Sequence, residues 1–159
     1  MQQTTETSGR TEATTFSDVE LDAWRGFLRT HSTLLRELDD ELTRMHGLPV
    51  SSYDVLVQLD EAAEGRLRMS ALADAVLLSR SGLSRLVTRL EGQGLIERVE
   101  CASDARGSFA AITDKGRERL DQARVTHRAG VRARFFDHLG ERELRQLAKV
   151  WSRVLDDPS

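Results

Sequence analysis

A run of short hydroxyl side chains and arginines just after the middle of the sequence is the part best suited to specific chemistry. No acidic residue lies between Ser79 and Leu90. On a helix with about 100° per residue, one face collects the apolar Leu83, Leu86, Val87 and Leu90. The face about 160° away collects Ser81, Ser84, Arg85 and Thr88, with Arg80 and Arg89 at its flanks. The segment is therefore predicted to be an amphipathic helix with a small, cationic outer face.

Such a face suits contact with DNA. Small side chains let a helix approach base edges in a major groove about 12 Å wide, an arginine can grip guanine with two hydrogen bonds, and serine or threonine can contact bases or phosphates. We therefore predict a DNA-reading helix with the contact residues Ser79, Arg80, Ser81, Ser84, Arg85, Thr88 and Arg89. The plain alternative is that the arginines form an ordinary solvated helix face.

The elements around this helix predict a winged helix-turn-helix. Ser70 is expected to cap a short helix with Leu72, Ala73 and Val76 inward, and Ser79 to cap the next, which Gly94 ends. Residues 95–101 and 108–113 are short, partly apolar segments around a polar turn, as in a β-hairpin. Two short helices followed by a two-stranded hairpin are the parts of that motif.

Long helices are predicted on both sides of this lobe. Ser17 and Glu20 form a capping box, after which a heptad stripe runs to the stop at Gly47, with the members Leu21, Trp24, Leu28, His31, Leu35, Leu38, Leu42 and Met45. Ser51 is expected to cap the second helix. After the hairpin, one helix runs from Thr113 to about Leu139, and the last carries Leu144, Leu147, Trp151 and Val154 at 3, 4, 3 spacing.

The expected fold is mainly α, a winged helix-turn-helix with about six helices and a two-stranded β-wing. Four parts are expected: a disordered N-terminal arm (1–15), an N-terminal dimerisation helix (16–48), the DNA-binding lobe (49–113) and C-terminal dimerisation helices (114–157). The arm is threonine-rich and without apolar periodicity. The two long apolar stripes present more hydrophobic surface than one small winged domain can cover, which favours a homodimer. The alternative is a monomeric bundle.

Composition excludes several classes. The 159 residues carry a net charge of −3, so a uniformly basic nucleic-acid-coating protein is excluded. The charge is uneven, at −8 for residues 1–65, +2 for 66–106 and +3 for 107–159. One cysteine excludes an intramolecular disulfide and a cysteine-cluster zinc site. Apolar runs are far shorter than the roughly 20 residues of a membrane span, so no membrane is expected and the cytoplasm is the default location.

The segment from Leu67 to Thr113 resembles the DNA-binding core of the MarR family of bacterial regulators. The resemblance rests on the ordered pattern LADxxxLSRSGLSRLVxRLExxGLIxR, followed by DxRG and ITxxG. It implies a homodimer that binds a pseudo-palindromic operator in double-stranded DNA and usually represses. It also implies that Arg106 reaches the minor groove from the wing, where Asp104 and Gly107 support it.

Family resemblance also implies a possible effector, a small phenolic or otherwise amphipathic anion bound between the dimer helices and the DNA-binding lobe. His31 is the polar member of the first heptad stripe, and it is either a hydrogen-bonded core histidine or a group facing that cavity. Trp24 and Tyr53 are candidates to line the same cavity, although aromatic residues at such spacing usually serve packing. These three residues are the expected effector contacts.

The sequence gives little support for metal binding, redox sensing or catalysis. The four histidines include no pair at i, i+3 or i, i+4, so no metal or cofactor is expected. Cys101 lies near Arg98 and Arg106, where a lowered thiol pKa would suit a redox switch, but a plain strand residue is favoured. No phosphate loop, H-E-x-x-H or G-x-S-x-G element occurs, so an enzyme with catalytic residues is not expected.

One further rival is a winged helix that serves as a protein-interaction module without affinity for DNA. Such a module should carry exposed apolar anchors in place of the serine and arginine face. The helix from Ser79 to Leu90 carries none there, which favours DNA as the partner.

Overall fold

The computed structural model describes residues 15–76, 78–100 and 108–155. This part of the chain contains six α-helices: α1 Asp18–His46, α2 Val50–Glu61, α3 Met69–Ala75, α4 Arg80–Gly92, α5 Asp114–Arg134 and α6 Glu141–Leu155. Its three strands are β1 Arg66–Arg68, β2 Ile96–Glu100 and β3 Ser108–Ile112. Single 3-10 turns lie at Ala63–Gly65 and Phe136–His138. The predicted fold class, a mainly helical winged helix-turn-helix, is confirmed. Residues 1–14 of the expected N-terminal arm lie outside the described residues.

The start of α1 is the predicted capping box. Glu20 Oε2 accepts a hydrogen bond from the Ser17 backbone N at 2.8 Å, and Ser17 Oγ accepts one from the Glu20 backbone N at 3.3 Å. The structure divides into two compact units, with the boundary between Thr33 and Leu34. Within the first unit, the heptad residues Trp24 and His31 are exposed rather than buried in a core.

In the second unit, α5 packs against the C-terminal half of α1. Leu38 and Leu42 are buried, and Arg134 of α5 forms ion pairs with Glu37 and Glu41 at 2.9 and 2.8 Å. At Gly130 an added Cβ would lie 2.8 Å from Leu38 Cδ2, too close for a side chain. The C-terminal end of the heptad stripe therefore packs on α5 of the same chain.

The predicted caps of α2 and α3 are wrong. Pro49, not Ser51, holds the N-cap position of α2, and the Val50 backbone N donates to Asp39 Oδ1 of α1 at 2.8 Å. At α3 the N-cap is Arg68 rather than Ser70, without a side-chain hydrogen bond. A carboxylate from a neighbouring helix satisfies the first turn of α2, so the local serine is not needed there.

The predicted two-stranded wing is part of a three-stranded antiparallel sheet in the order β1-β3-β2. The missed strand, β1, has only three residues, which is too short for its alternation to stand out in the sequence. Glu64 and Gly65, both at positive φ, turn the chain from α2 into β1. The predicted hairpin itself, β2 with β3, is present at the expected positions.

Helix α5, predicted to run from Thr113 to about Leu139, ends earlier, at Arg134, and a 3-10 turn separates it from α6. Leu120 and Ala123 of α5 join the core formed with α2, α3, α4 and the sheet. Asp60 of α2 accepts hydrogen bonds from both Arg117 and Arg124, which fastens α2 to α5. Within the described residues, no helix is both long and apolar enough to cross a bilayer.

Candidate nucleic-acid interface

Helix α4 has the two faces that the sequence predicted. Its inner residues Leu83, Leu86, Val87 and Leu90 are all buried. Its outer residues Arg80, Ser81, Ser84, Arg85, Thr88 and Arg89 are all exposed. Burial of four apolar side chains fixes the rotation of the helix about its own axis. The hydroxyl and guanidinium groups on the opposite face are therefore exposed to solvent.

The N-cap of α4 is Ser79, as predicted. Its Oγ accepts a hydrogen bond from the Gly82 backbone N at 3.1 Å and lies 3.3 Å from Ser81 Oγ. A capping serine typically stabilises a helix by about 1 kcal/mol. The hydroxyl of Ser79 therefore defines where the helix begins, at the end that would meet DNA first.

Arg80 and Arg85 differ from the other arginine of this face. Among the residues that the structure describes, neither makes a hydrogen bond or an ion pair. Both are exposed on the outer face of α4, Arg80 as its first residue and Arg85 in its second turn. They are therefore the two arginines of this helix whose guanidinium groups have no hydrogen-bond or ion-pair partner among the described residues, whereas Arg89 is bonded to a hydroxyl.

Arg89 is anchored. Its Nη2 donates a hydrogen bond at 2.8 Å to Oγ of Ser52, a side chain of α2 that is only 1% exposed. The bond joins α4 to α2. Arg89 thus has a structural role beside the predicted DNA contact. Ser52 is a positioning residue for which the sequence carries no local signal.

Thr88 is held by a second network. Its Oγ1 donates to the Ser84 carbonyl O at 2.9 Å and accepts a hydrogen bond from Arg98 Nη2 at 3.0 Å. Arg98 on β2 also pairs with Glu91, with Nε 3.3 Å from Oε2. The sequence alone shows Arg98 as a neighbour of Cys101 and not as a partner of Thr88. Its period-2 spacing from the buried Ile96 is the signal that places it on the sheet face next to α4.

The C-terminal end of α4 is fixed by the start of α5. Thr113 Oγ1 donates to the Gly94 carbonyl O and Lys115 Nζ to the Gln93 carbonyl O, each at 2.7 Å. Gly94 has φ +72°, the left-handed conformation predicted for the residue that stops the helix. An added Cβ at Gly116 would collide with the Leu95 carbonyl O. These contacts fix the direction of α4 relative to the rest of the lobe.

The predicted wing contact lies in a part of the chain that the structure does not describe. Arg106, with the supporting Asp104 and Gly107, lies outside the described residues, as does Cys101. The strands that lead to and from the tip, β2 and β3, pair from Ile96 with Ile112 to Glu100 with Ser108. The assignment of Arg106 to the minor groove stays a prediction.

Tyr53, a predicted effector contact, is buried between α2 and α5. Its ring stacks on that of His127, with the centroids 4.6 Å apart and the planes at 25°. Burial raises the pKa of Tyr53, so its hydroxyl stays protonated at neutral pH. Burial, assisted by the charge of Arg128, lowers the pKa of His127, while Asp54 opposes that shift. The ring pair is therefore neutral at pH 7.

The other two predicted effector contacts lie on the exposed N-terminal part of α1. Phe27 lies between them, with ring centroids 5.9 Å from Trp24 and 6.0 Å from His31. The three rings form an aromatic stripe on one helix. His31 is exposed in the single chain, so it is not a core histidine of that chain.

Comparison with known proteins agrees with the resemblance seen in the sequence. A model of the MarR family matches residues 46–107. The crystal structure of Sco3205, a MarR family transcriptional regulator from Streptomyces coelicolor in complex with DNA, is 36% identical, with a TM-score of 0.86 and coverage of 94% of this chain and 95% of that one.

Two further relatives have a known ligand or role. CouR from Rhodococcus jostii RHA1, solved with bound p-coumaroyl-CoA, is 31% identical, with a TM-score of 0.70 and coverage of 85% of this chain and 94% of that one. The HTH-type transcriptional repressor MdtR of Bacillus subtilis is 24% identical over 138 residues, which are 87% of this chain and 84% of MdtR.

Proposed function

This chain belongs to the MarR family of transcriptional regulators, and from that premise we propose that it is a homodimeric repressor which binds a pseudo-palindromic DNA operator and leaves it when a small amphipathic anion binds. It is a transcriptional regulator and not an enzyme. The single observation that carries the proposed DNA contact is the outer face of α4, where cations and hydroxyls stand opposite a fully buried apolar stripe. Because the proposed target is DNA, we expect the protein to act in the cytoplasm.

In the proposed complex, α4 enters the major groove. Arg85 lies mid-face on the helix, and its fork has the geometry to bind O6 and N7 of a guanine. Ser81, Ser84 and Thr88 approach neighbouring bases or phosphates, and Arg80 and Ser79 lie at the helix start, where backbone phosphates are expected. Sco3205, a similar regulator solved in complex with DNA, supports DNA as the partner.

Arg89 and Arg106 contribute at the margins. Because Nη2 of Arg89 is bonded to Ser52, we assign to Arg89 a phosphate contact at the side of the groove rather than base reading. Arg106, held by Asp104 and Gly107 in the wing, is assigned to the minor groove, where an arginine responds to groove width more than to base identity.

The homodimer is supported by apolar surface that one chain leaves uncovered. On α6, Trp151 and Val154 are 38% and 63% exposed, and they continue a stripe with Leu144 and Leu147. On the N-terminal part of α1, Trp24 and Leu28 are 55% and 45% exposed. Two-fold pairing covers such faces, and it sets two recognition helices about 34 Å apart, one DNA turn.

The proposed effector is a small aromatic or amphipathic anion. The rings of Tyr53 and His127 stack between α2 and α5, and Arg124 and Arg128 provide positive charge around Tyr53. Flat apolar surface beside a cation suits an aromatic acid. CouR, solved with an aromatic acyl thioester, supports this class of ligand. The assignment of Trp24 and His31 to an effector site stays a prediction from the sequence.

Repression as the output is supported by MdtR, a repressor. One experiment tests the operator sequence, its symmetry and the class of effector. Fragments of the source genome that bind the purified protein are selected and sequenced. Binding to them is then measured with phenolic acids, with peroxide and without either. We expect an inverted repeat and release by phenolic acids. Release by peroxide alone would favour the thiol of Cys101, and selection of no common sequence would contradict the proposal.

A further inference from the structure

Asp39 of α1 bonds to the first turn of α2, and the same turn of α2 holds Arg89 of α4. We propose that Asp39 is a positioning residue for DNA binding, which sets the first turn of α2 and thereby the place of Arg89 on the outer face of α4. The inference rests on the proposed function and adds to it a residue of the long N-terminal helix that acts on α4 without touching DNA. We refer to Asp39, Ser52 and Arg89, with the two hydrogen bonds that join their helices, as the α1–α4 link.

The end of α1 brings the start of α2 back beside α1. The Gly47 backbone N donates to the Thr43 carbonyl O at 2.9 Å, and the Leu48 backbone N donates to the Leu42 carbonyl O at 3.4 Å. These are the two bonds of a Schellman ending, and Gly47 has the left-handed conformation that it favours, with φ +60°. The chain therefore reverses, and α2 begins beside the turn of α1 that holds Asp39.

The first turn of α2 receives its side-chain cap from Asp39. The N-cap residue is Pro49, whose side chain has no polar group and makes no cap hydrogen bond. Oδ1 of Asp39 instead accepts a hydrogen bond from the Val50 backbone N at 2.8 Å. A carboxylate at the N-terminus of a helix meets the positive end of the helix dipole, and its hydrogen bond is charge-assisted. Asp39 therefore fixes the first turn of α2 relative to α1.

That turn carries Ser52. The Ser52 backbone N donates to the Pro49 carbonyl O at 2.8 Å, which ties this residue to the turn that Asp39 caps. The Ser52 side chain is buried, and its Oγ accepts the 2.8 Å hydrogen bond from Nη2 of Arg89. A shift of the turn by about 1 Å would take this pair of atoms outside hydrogen-bond range. The position of the Arg89 side chain thus depends on the cap of α2.

Packing leaves space between α2 and α4 on this side. A cleft of about 260 Å³ separates Ser51 of α2 from the facing side chains, and its other lining residues are Leu78, Gly82, Arg85, Leu86 and Arg89. Because the helices do not fill this space, the bond from Arg89 to Ser52 rather than close packing connects them here. Loss of the bond to Asp39 is therefore expected to move Ser52 and to release the Arg89 side chain.

The first test follows the Arg89 side chain without DNA. NMR relaxation of the full-length protein measures the order of the Arg89 Nε–H group, whose signal is identified by its loss in Arg89→Ala. We expect an ordered group in the wild type and a mobile one in both Asp39→Ala and Ser52→Ala. Asp39→Asn keeps an oxygen that can accept from the Val50 backbone N, so it is expected to restore the wild-type signal.

The second test is operator affinity over a salt series. Asp39→Ala is expected to weaken binding by about two- to ten-fold, the effect of one lost hydrogen bond. The salt slope should stay unchanged, because no phosphate contact is removed. In a Ser52→Ala background, where the α1–α4 link is already broken, Asp39→Ala should change affinity by at most about two-fold. Asp39→Asn is expected to bind as the wild type does.

Asp40→Ala is the matched control. Asp40 is the next residue of α1 and is exposed, so this variant removes the same charge from the same helix. Loss of a negative charge by itself favours association with DNA, which is opposite to the effect expected for Asp39→Ala. Alanine is also a better helix former than aspartate, so neither variant weakens α1 through its propensity. All measurements are made at a temperature at which thermal unfolding shows every variant to be folded.

The outcomes separate this inference from the proposed function. If the wild type prefers no operator, the proposed function fails, while the Arg89 signal still tests the α1–α4 link. If the wild type binds its operator and Asp39→Ala keeps both the Arg89 signal and the wild-type affinity, the proposed function stands and the inference is overturned. Fully additive losses of affinity for Asp39→Ala and Ser52→Ala would also overturn it, because the two residues would then act separately.

Discussion

Nη2 of Arg89, on the outer face of α4, donates a hydrogen bond to the buried Oγ of Ser52 on α2 at 2.8 Å. A residue on the proposed reading helix is thus also part of the framework that orients that helix. The two roles make different predictions, because removing Ser52 Oγ affects only the framework, whereas removing the Arg89 side chain affects both.

We expect Ser52→Ala to weaken operator binding by about 0.5–1.5 kcal/mol, the usual contribution of one hydrogen bond, and Arg89→Ala to weaken it more. The larger effect of Arg89→Ala comes from its phosphate contact, which should also lower the salt slope by about one. Titration of operator DNA over a salt series measures both. Equal losses and equal slopes for the two variants would mean that Arg89 does not touch DNA.

Arg98 is expected to act through Thr88. Its Nη2 donates to Thr88 Oγ1 at 3.0 Å, so Arg98→Ala frees that hydroxyl to rotate and should cost about 0.5–1.5 kcal/mol of operator affinity. In a Thr88→Val background, where the hydroxyl is absent, Arg98→Ala should have little further effect. A double-mutant cycle measures this coupling, and fully additive losses would show that the two residues act separately.

The ring pair of Tyr53 and His127 predicts a pH dependence of stability. Burial lowers the pKa of His127 below its ordinary 6.5, so the unfolded chain binds the proton more tightly and stability falls as pH drops below about 7. Burial raises the pKa of Asp54 above 3.8, which acts in the opposite direction at lower pH.

His127→Phe keeps a ring against Tyr53 but has no titrating nitrogen. We expect urea unfolding between pH 8 and pH 5.5 to show a smaller loss of stability for His127→Phe than for the wild type. Asp54→Asn, measured in parallel, should leave the loss near pH 6.5 in place. The same pH dependence in the wild type and in His127→Phe would assign it to other groups.

The uncovered stripe of α6 predicts which residue holds the dimer. Leu147→Glu places a charge in the middle of that stripe and should weaken dimerisation by about 2 kcal/mol or more, as expected for a central interface residue. Lys149→Glu, on a more exposed part of the same helix, is the matched control. Light scattering at several concentrations measures the mass. An unchanged dimer in Leu147→Glu, or a monomeric wild type, would contradict the proposed interface.

Features of the fold that arise within one helix could be predicted from the sequence. The two faces of α4, its cap at Ser79 and its stop at Gly94 depend on residues that lie close together in the chain, so their types and spacing were sufficient. The capping box of Ser17 and Glu20 is of the same kind.

Contacts between distant segments could not be predicted in this way. The cap of α2 comes from Asp39 on another helix, and Ser52 meets Arg89 across 37 positions of sequence. Such pairs form only when helices pack, and a single sequence carries no local signal for them. Strand β1 could not be predicted for a related reason, since three residues are too few to show a strand and the ring that its arginines contact, Phe109, lies on β3.

The most direct test of the central claim, that α4 reads bases with its outer face, is the affinity of Arg85→Ala for its operator and for random duplex DNA at one salt concentration. The account predicts a loss of about 1–3 kcal/mol on the operator, a smaller loss on random DNA and a relaxed preference at one position of each half-site. Arg44→Ala, with an exposed arginine of α1 removed instead, should bind both as the wild type does. Equal losses on operator and random DNA, or no loss on either, would contradict it.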